Sequence, residues 1–455
     1  MAILAGRPLP DVDPSGIHPE IAGMNDPIRC LWISRCIPFP LDEGSKVYSA
    51  KMAQSLAQSG ARVRFIGIGN ASTVPESTAG LEWLGVPGKR RSKLIAAFSH
   101  WPIASAIDAT KAYAGLLDQQ LREHWDVLVL DAYASGWALE RCVAYRNENA
   151  ARPVLLVHLS HNHEELLWRS MSREARVSDL KRWVLQRNAS KVGALERRVV
   201  SNMDLLTTIT EQDRGSLGAH AAGVHALTLT PGFDGWVARE RRITAVTPRR
   251  VIILGSFRWI VKQENIDSFL KIADPIFKQH GIELDLVGEI PPALLIALRA
   301  RCRATRFHGF VVDVAPLLKS ARIAIVHESI GGGFKLKLLD YIFARVPIAM
   351  VSQAVAGLSD DLQQSMLTNS SQAGLIDQIV SHIDRFDELN QMQERAFSLA
   401  NAQFQWIARG EQFRQAILDV REQRAAVQAP RAPPQASTLP HIARTETKRR
   451  GKAHA

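Results

Sequence analysis

Three consecutive glycines and two lysines make residues 331–337 the most chemically informative stretch of this 455-residue chain. Glycines let a ligand approach the backbone closely, and the free N–H groups at the start of a helix favour an anion. Lys335 and Lys337 follow the glycines and add positive charge in what is predicted to be the first turn of a helix. The pattern therefore predicts a phosphate or pyrophosphate site. The alternative is a plain glycine-rich turn, in which Lys337 pairs with Asp340 one helical turn later.

Three histidines, His158, His161 and His163, lie at or just after the end of a second apolar run, residues 154–159. In α/β proteins, side chains just past the carboxyl end of a buried strand commonly line the ligand site. The histidine spacing, with no matching pair elsewhere, does not favour a metal site. The alternative is a surface helix start at which Asn162 serves as the N-cap.

Strand-like and helix-like patterns alternate along the whole chain, which is typical of an α/β protein with parallel sheets. The short apolar runs are rich in β-branched residues, as expected for strands buried on both faces. A first βαβ unit is predicted from a strand at 30–34, a helix at 47–59 and a strand at 62–68. Further strands are predicted at 126–131, 154–159, 204–210, 224–230, 251–254, 283–287, 307–311 and 323–326.

Several of these segments together resemble the retaining glycosyltransferases of the GT-B fold, family 4 (group 1) type. The stretch GGGFKLKLLDYIFARVPIAMV looks like the family's glycine-rich subgroup, G-G-G-x-[RK]-L-K-x-L-E followed by A-x-G-x-P-V-V. PFPLDEGSK resembles its loop P-x-P-x-D-x-G-x-[KR], and HNHE fits its segment H-N-x-E. The chain departs from the commoner pattern at Gly332 and Asp340, where other members have glutamates, and at Ser256, where many have arginine. The resemblance spans about residues 29–420.

The resemblance implies a role for particular residues of this chain. His161 is implied to lie over the donor sugar as the catalytic residue, and Asp340 to bind the ribose hydroxyls. The implied donor-binding residues are Gly255, Arg258, Lys262, Gly331, Gly332, Gly333, Lys335, Lys337 and Asp340. The implied residues of the cleft loops are Asp42, Gly44, Asn162 and Glu164. Because the lysines can stabilise a leaving diphosphate, no metal and no cofactor are expected.

The same resemblance implies two Rossmann-like domains that face each other across a cleft, with a C-terminal helix crossing back to the first domain. We expect a leader at residues 1–27, an acceptor-side domain at 28–235, a nucleotide-sugar domain at 236–424 and a disordered basic tail at 425–455. The implied reaction moves a sugar, typically a hexose, from a nucleotide-sugar to an acceptor hydroxyl with retention, in polysaccharide or glycolipid synthesis. The acceptor is expected to be a saccharide, a lipid-linked molecule or another hydroxyl compound.

Composition limits the class of protein. A hydrophobic content of 46% and a charged content of 22% fit globular domains. No apolar run approaches the ~18 residues that a membrane helix requires. The four cysteines lack metal or redox spacing, so we expect a cytoplasmic protein. Segment 89–117 combines basic residues with an apolar, tryptophan-bearing stretch typical of an interfacial helix. Peripheral binding to the inner face of a membrane therefore stays open, as does a purely structural role for that segment.

Three other functions are compatible with the sequence. A nucleotide-sugar epimerase or a phosphorylase of the same fold would share the cleft. A degenerate GT-B protein acting as a binding module would explain Gly332, Ser256 and Asp340. The net charge of +11 alone suggests a nucleic-acid partner, but no basic and aromatic motif accompanies it, so this partner ranks last.

Overall fold

The computed structural model describes residues 27–74, 78–88, 90–174, 178–218, 223–329 and 333–428. These residues form two parallel α/β sheets in sequence, each covered by helices on its faces. The expected leader up to Asp26, Lys89, Gly331, Gly332 and the tail beyond Gln428 lie outside the described residues.

The first sheet has seven parallel strands in the order β3-β2-β1-β4-β5-β6-β7. Its central strands are apolar and fully buried, as parallel strands covered on both faces must be. The strands are β1 (Arg29–Cys36), β2 (Arg62–Ile68), β3 (Leu81–Val86), β4 (Val127–Asp131), β5 (Leu155–Leu159), β6 (Leu205–Thr208) and β7 (His225–Thr228). The helices around them are α1 (Gly44–Gln58), α2 (Lys93–Ala97), α3 (Ile103–Asp108), α4 (Lys111–Gln120), α5 (Leu139–Glu148), α6 (Glu164–Glu174), α7 (Asp179–Val200) and α8 (Glu211–Gly218).

The second sheet has six parallel strands in the order β10-β9-β8-β11-β12-β13. Its strands are β8 (Arg250–Leu254), β9 (Glu283–Val287), β10 (Thr305–Gly309), β11 (Ile323–Val326), β12 (Ile348–Val351) and β13 (Leu367–Asn369). The helices are α9 (Ile260–Gln279), α10 (Pro292–Arg301), α11 (Ala315–Ser320), α12 (Lys337–Phe343), α13 (Asp360–Gln363), α14 (Gln372–His382), α15 (Phe386–Gln403) and α16 (Trp406–Gln428). The predicted strands are present in both sheets, with ends shifted by up to two residues.

The last helix, α16, returns from the second sheet to the first, as expected. Trp406, Phe413 and Ile417 pack into the core beneath the first sheet, on the side covered by α1. The two helices approach closely at Gly410, where any side chain would collide with the backbone of Ser55. The helix runs to Gln428, so the first four residues of the expected tail are helical.

Segment 89–117, whose composition is typical of an interfacial helix, forms three short helices in its described part, α2 to α4. Pro102 lies directly before α3, at its N-cap position. Proline has no backbone N–H and would break the interior of a helix, so a new helix starts after it. Thr110 then starts α4 by accepting a hydrogen bond from the Tyr113 amide at 3.1 Å. None of the described helices is both long and apolar enough to cross a membrane.

Candidate active site

The predicted glycine loop and the predicted histidine segment meet between the two sheets. Gly333 has a φ of 72°, and a side chain there would collide with Asn162 Oδ1. Only glycine adopts this backbone conformation readily and also leaves room for the amide. Asn162 in turn donates from Nδ2 to Glu164 Oε1 at 3.2 Å. The structure therefore brings together residues that are about 170 positions apart in the chain.

His161 is buried and held by a carboxylate that ends the neighbouring strand. Its Nε2 lies 2.8 Å from Asp131 Oδ1, and the other oxygen, Oδ2, accepts a hydrogen bond from Trp32 Nε1 at 3.1 Å. Burial alone would raise the pKa of Asp131, but the hydrogen bonds and the charge interaction from His161 lower it below its usual value. The Asp131 carboxylate is therefore ionised at neutral pH, and it accepts a hydrogen bond from the N–H at Nε2 of His161.

This arrangement leaves one ring nitrogen of His161 available. Nδ1 has no hydrogen-bond partner among the described residues, whereas Nε2 is fixed by Asp131. The Tyr48 ring packs edge-on against the imidazole at a centroid distance of 5.3 Å, which fixes the plane of the ring. A histidine oriented in this way can offer Nδ1 to a hydroxyl group of a bound molecule.

The other two histidines do not join His161. His158 is fully buried, its Nδ1 lies 2.9 Å from the Leu130 carbonyl, and burial lowers its pKa to about 4, so it is neutral. His163 Nδ1 lies 2.8 Å from Ser216 Oγ. The three side chains therefore point to different partners and do not form a common metal site.

His163 does lie near two carboxylates, because ligand atoms of His163, Glu165 and Glu196 fall within 4.8 Å of one another. Both carboxylates already have protein partners. Glu196 accepts hydrogen bonds from the backbone amides of Glu164 and Glu165, at 2.9 and 3.0 Å, and Glu165 pairs with Arg169 and Arg197. The first amides of α6 are thus satisfied by Glu196, and the alternative in which Asn162 caps this helix is wrong.

On the second domain, three lysines surround one buried carboxylate. Lys337 Nζ forms a buried ion pair with Glu328 Oε1 at 2.5 Å. The other oxygen, Glu328 Oε2, has no hydrogen-bond partner in the described part of the chain. The alternative in which Lys337 pairs with Asp340 is therefore wrong, because Lys337 is bound by Glu328, two residues after the end of β11. Lys335 precedes α12, which begins at Lys337.

The charges in this cluster perturb one another strongly. Burial, followed by the positive charge of Lys337, lowers the pKa of Lys262. Burial and the two neighbouring lysines lower the pKa of Lys335 to about 8, although Glu328 opposes this shift. Burial alone would raise the pKa of Glu328, but Lys337 holds it below its ordinary value. An anionic ligand would relieve the repulsion among these cations.

Asp340 lies on the first turn of α12. Burial raises the pKa of its carboxyl group to about 7. Among the described residues it has no ion-pair partner, so it remains available to accept hydrogen bonds from a ligand. Gly331 and Gly332, the other predicted members of the loop, lie outside the described residues.

A small cavity of about 50 Å³ lies where the first domain's loop after β1 faces the end of β8. Asp42 lines it from the first domain, and Gly255, Ser256 and Arg258 line it from the second. Arg258 is exposed and donates to Glu289, at 2.8 Å from Nε, while Asp42 pairs with Lys46 at 2.7 Å. Gly44, the last predicted loop residue, begins α1. Arg258 thus lies two residues after Ser256, the position at which many family members have arginine. Part of its guanidinium already binds Glu289.

Several proteins of known structure have a similar architecture. HepE from Anabaena, in a crystal structure with UDP and glucose, is 12% identical; the match covers 86% of this chain and 100% of HepE, with a TM-score of 0.58. The α,α-trehalose 6-phosphate synthase from Burkholderia multivorans is 12% identical over 89% of this chain and 99% of its own, with a TM-score of 0.59. WaaG, a glycosyltransferase involved in lipopolysaccharide biosynthesis, is 16% identical over 88% of this chain and 100% of its own, with a TM-score of 0.51. No curated protein matches the sequence.

The chain therefore has the GT-B fold, with two Rossmann-like domains that face each other. Residues 248–385 match the family model of glycosyl transferases group 1. The matched segment lies in the second domain and includes its lysine cluster.

Two residues of the site were not singled out from the sequence. Asp131 ends one buried strand and His161 follows the next strand along the sheet, so parallel pairing of β4 and β5 brings them together. That adjacency is the signal that could have identified Asp131. Glu328 lies two residues after the end of β11 and precedes the glycines, but nothing in the sequence indicates whether its carboxylate faces the lysines or the solvent.

Proposed function

We propose that this protein transfers a sugar from a nucleoside diphosphate sugar to an acceptor hydroxyl, in the synthesis of a polysaccharide or glycolipid. The observation that carries the proposal is the cluster of Lys262, Lys335 and Lys337 within a group 1 glycosyltransferase domain. Three cations around one carboxylate leave an excess of positive charge, which suits a diphosphate. The first donors to test are UDP-sugars, because HepE was crystallised with UDP and with UDP-glucose.

The mechanism follows from where charge develops during transfer. When the bond between the sugar and the diphosphate breaks, negative charge builds on the leaving phosphate, and preorganised cations in a dry cleft stabilise it by several kcal/mol. Lys337 and Lys335 are the groups for this role. A half-buried Asp340 can accept hydrogen bonds from the ribose, which would orient the nucleotide.

His161 is proposed to act on the sugar. Its Nδ1, which has no hydrogen-bond partner among the residues that the structure describes, can bind a sugar hydroxyl, while Asp131 fixes Nε2 and compensates any positive charge that develops on or beside the ring. Retention of the anomeric configuration is inferred from the resemblance of the glycine-loop segment to retaining family 4 enzymes. Lys335 and Lys337 are proposed to stabilise the leaving group without a metal.

The test is a panel of UDP-, GDP- and ADP-sugars incubated with the protein and a mixture of candidate hydroxyl acceptors. We expect one donor to release its nucleoside diphosphate in an acceptor-dependent way, with a product whose anomeric proton coupling in NMR spectra matches that of the donor. Epimerised donor without transfer would favour the epimerase alternative. Failure of every nucleoside diphosphate to raise the melting temperature would favour a degenerate binding module.

A further inference from the structure

Strand β1 ends in an irregularity that carries an arginine without a role in the proposed sugar transfer. Three steps along β1, from Ile33 to Cys36, match only two steps along its neighbour β2. A bulge of this kind re-aims the side chains beside it and is common next to active sites. Here it falls at Ser34 and Arg35, at the carboxyl edge of the sheet, where α/β proteins bind their ligands.

A buried hydroxyl group holds this bulge in place. Tyr113 is fully buried, and its Oη lies 2.6 Å from the carbonyl oxygen of Ser34 on β1 and 2.9 Å from that of Ile66 on β2. The hydroxyl thus joins the two strands at the point where their pairing is irregular. Arg35 therefore starts from a fixed backbone.

A buried carboxylate fixes the Arg35 side chain as well. Asp108, the last residue of α3, is completely buried, and its Oδ2 accepts a hydrogen bond from Arg35 Nε at 2.8 Å. Arg90 Nε lies 3.1 Å from Oδ1 of the same carboxylate. One carboxylate therefore faces two guanidinium groups, so the group as a whole keeps one positive charge in excess.

The terminal nitrogens of Arg35 remain open. Neither Nη1 nor Nη2 has a hydrogen-bond partner in the described part of the chain, and the side chain is 41% exposed, so these donors reach solvent. A guanidinium held at Nε presents its two Nη atoms as a planar pair of donors, which matches the two oxygens of a carboxylate or a phosphate. Because Asp108 sets its orientation, Arg35 differs from an exposed arginine that is free to rotate.

The strained backbone beside Arg35 supports a functional role. Ala132, which follows Asp131 at the end of β4, has a φ of 60° and a ψ of 160°. Residues other than glycine adopt this conformation at a cost of about 1–3 kcal/mol, typically at functional sites. The carbonyl oxygen of the next residue, Tyr133, accepts a hydrogen bond from Ser105 Oγ of α3 at 3.4 Å. The strained turn thus holds the helix that carries Asp108.

Arg35 and His161 belong to one region, because both act on Glu164. Burial raises the pKa of the Glu164 carboxyl group, and the charges of His161 and Arg35 are among the influences that oppose this rise. Only β4 lies between β1 and β5 in the sheet, so the ends of β1 and β5 are about 10 Å apart, twice the ~4.8 Å spacing of neighbouring strands. A molecule that meets His161 can therefore place a second group at Arg35.

We propose that Arg35 binds an anionic group, a carboxylate or a phosphate, on the acceptor of the sugar. The acceptor class that fits is an acidic saccharide, either a uronic acid or a sugar phosphate, whose reacting hydroxyl points towards the donor. Arg35 is then a specificity-determining residue, and Asp108 is the residue that positions it. That the bound molecule is the acceptor rests on the proposed sugar transfer, whereas the anion subsite rests on Arg35 and its surroundings.

The test measures binding of glucose, glucuronic acid and glucose 6-phosphate, and of the same three forms of galactose, by calorimetry. Saturating UDP is present to occupy the lysine cluster. Wild-type protein should bind at least one acidic form ~10-fold more tightly than its neutral form, because only the acidic form makes charge-assisted hydrogen bonds to both Nη atoms. The tighter of the two acidic forms distinguishes a carboxylate from a phosphate subsite. Equal binding of neutral and acidic forms, or no binding of any acidic form, would overturn the proposal.

A double variant assigns this preference to Arg35. Arg35→Met combined with Asp108→Asn removes the guanidinium together with its buried counter-charge, so that no unpaired buried carboxylate remains. The preference for the acidic form should disappear, while the affinity for the neutral form stays close to wild type. The matched control is Arg62→Met combined with Asp118→Asn, which removes the same two charges at exposed positions and should keep the preference. Equal effects of the two double variants would overturn the proposal.

Sugar transfer is measured in parallel, so that the two proposals can fail separately. A preference for the acidic form that depends on Arg35, without any transfer from a UDP-, GDP- or ADP-sugar, would refute the proposed function and leave the anion subsite standing. Transfer to neutral and acidic acceptors that the Arg35→Met, Asp108→Asn variant slows equally would overturn the subsite and leave the proposed function standing.

Discussion

Lys337 is the residue whose replacement most sharply tests the donor site, because it has two partners to lose. Lys337→Met removes the proposed phosphate contact and also leaves the Glu328 carboxylate buried without its cation. Breaking one side of a buried ion pair costs about 3–5 kcal/mol of unfolding free energy. A weaker UDP affinity in this variant would therefore be ambiguous, since partial unfolding could also cause it.

The double variant Lys337→Met with Glu328→Gln resolves the ambiguity. Replacing both members of a buried ion pair by neutral groups of similar volume is often close to neutral for stability, so urea unfolding should return near the wild-type value. UDP affinity should stay low, because losing a charged hydrogen bond costs about 1.5–3 kcal/mol, or ~10- to 150-fold in Kd. Calorimetry measures this Kd, with Lys278→Met as the exposed control. A stable double variant that binds UDP as tightly as wild type would refute the phosphate role of Lys337.

Three further changes test the neighbouring groups. Asp340→Asn should weaken UDP binding and leave pyrophosphate binding unchanged, and equal losses for both ligands would exclude a ribose contact. In wild type, the ratio of UDP affinity to pyrophosphate affinity should grow as pH rises through about 7, because the Asp340 carboxylate forms there. Asp131→Asn should lower kcat ~10- to 100-fold and shift its pH profile, since one amide cannot accept from both His161 and Trp32; an unshifted profile would contradict this positioning role. The pKa of Glu196 is raised to about 8, chiefly by burial, so folding binds a proton; the stability this contributes is full below its usual pKa of about 4.5 and is lost as pH rises through about 8. Glu196→Gln should flatten that slope in urea unfolding, and an unchanged slope would contradict the assignment.

Much of the fold could be predicted because buried parallel strands have a local signature. The strands β2 and β9 were predicted with their observed ends, since a turn at each end of a short apolar segment marks where the strand begins and ends. Residues 89–117 were less predictable: the composition is typical of an interfacial helix, but it does not show that Pro102 and the Thr110 cap divide the described part of the segment into three helices.

The site shows where local patterns stop being informative. His161 and the lysines were identified because motifs carry them, whereas the contact of Asn162 with Gly333 is known only from the structure. The partner of Lys337 depended on which acid the folded backbone brings closest, and that acid is Glu328, nine residues earlier, and not Asp340, which the alternative had named. Similarly, the amides at the start of α6 are satisfied by Glu196, about thirty residues away, which no helix-start pattern indicates.

The most direct test of sugar transfer at this cleft is the turnover of His161→Gln. Glutamine keeps an N–H donor for the buried Asp131 and so preserves folding, but it removes the imidazole Nδ1 proposed to bind the sugar. The rate of UDP release from the active donor, in the presence of the acceptor found with the donor panel, should fall ~100- to 1000-fold, the effect of losing ~2.7–4 kcal/mol of transition-state stabilisation. The melting temperature and UDP affinity should stay close to wild type. Wild-type turnover in this variant would contradict the assignment of His161 as the catalytic residue.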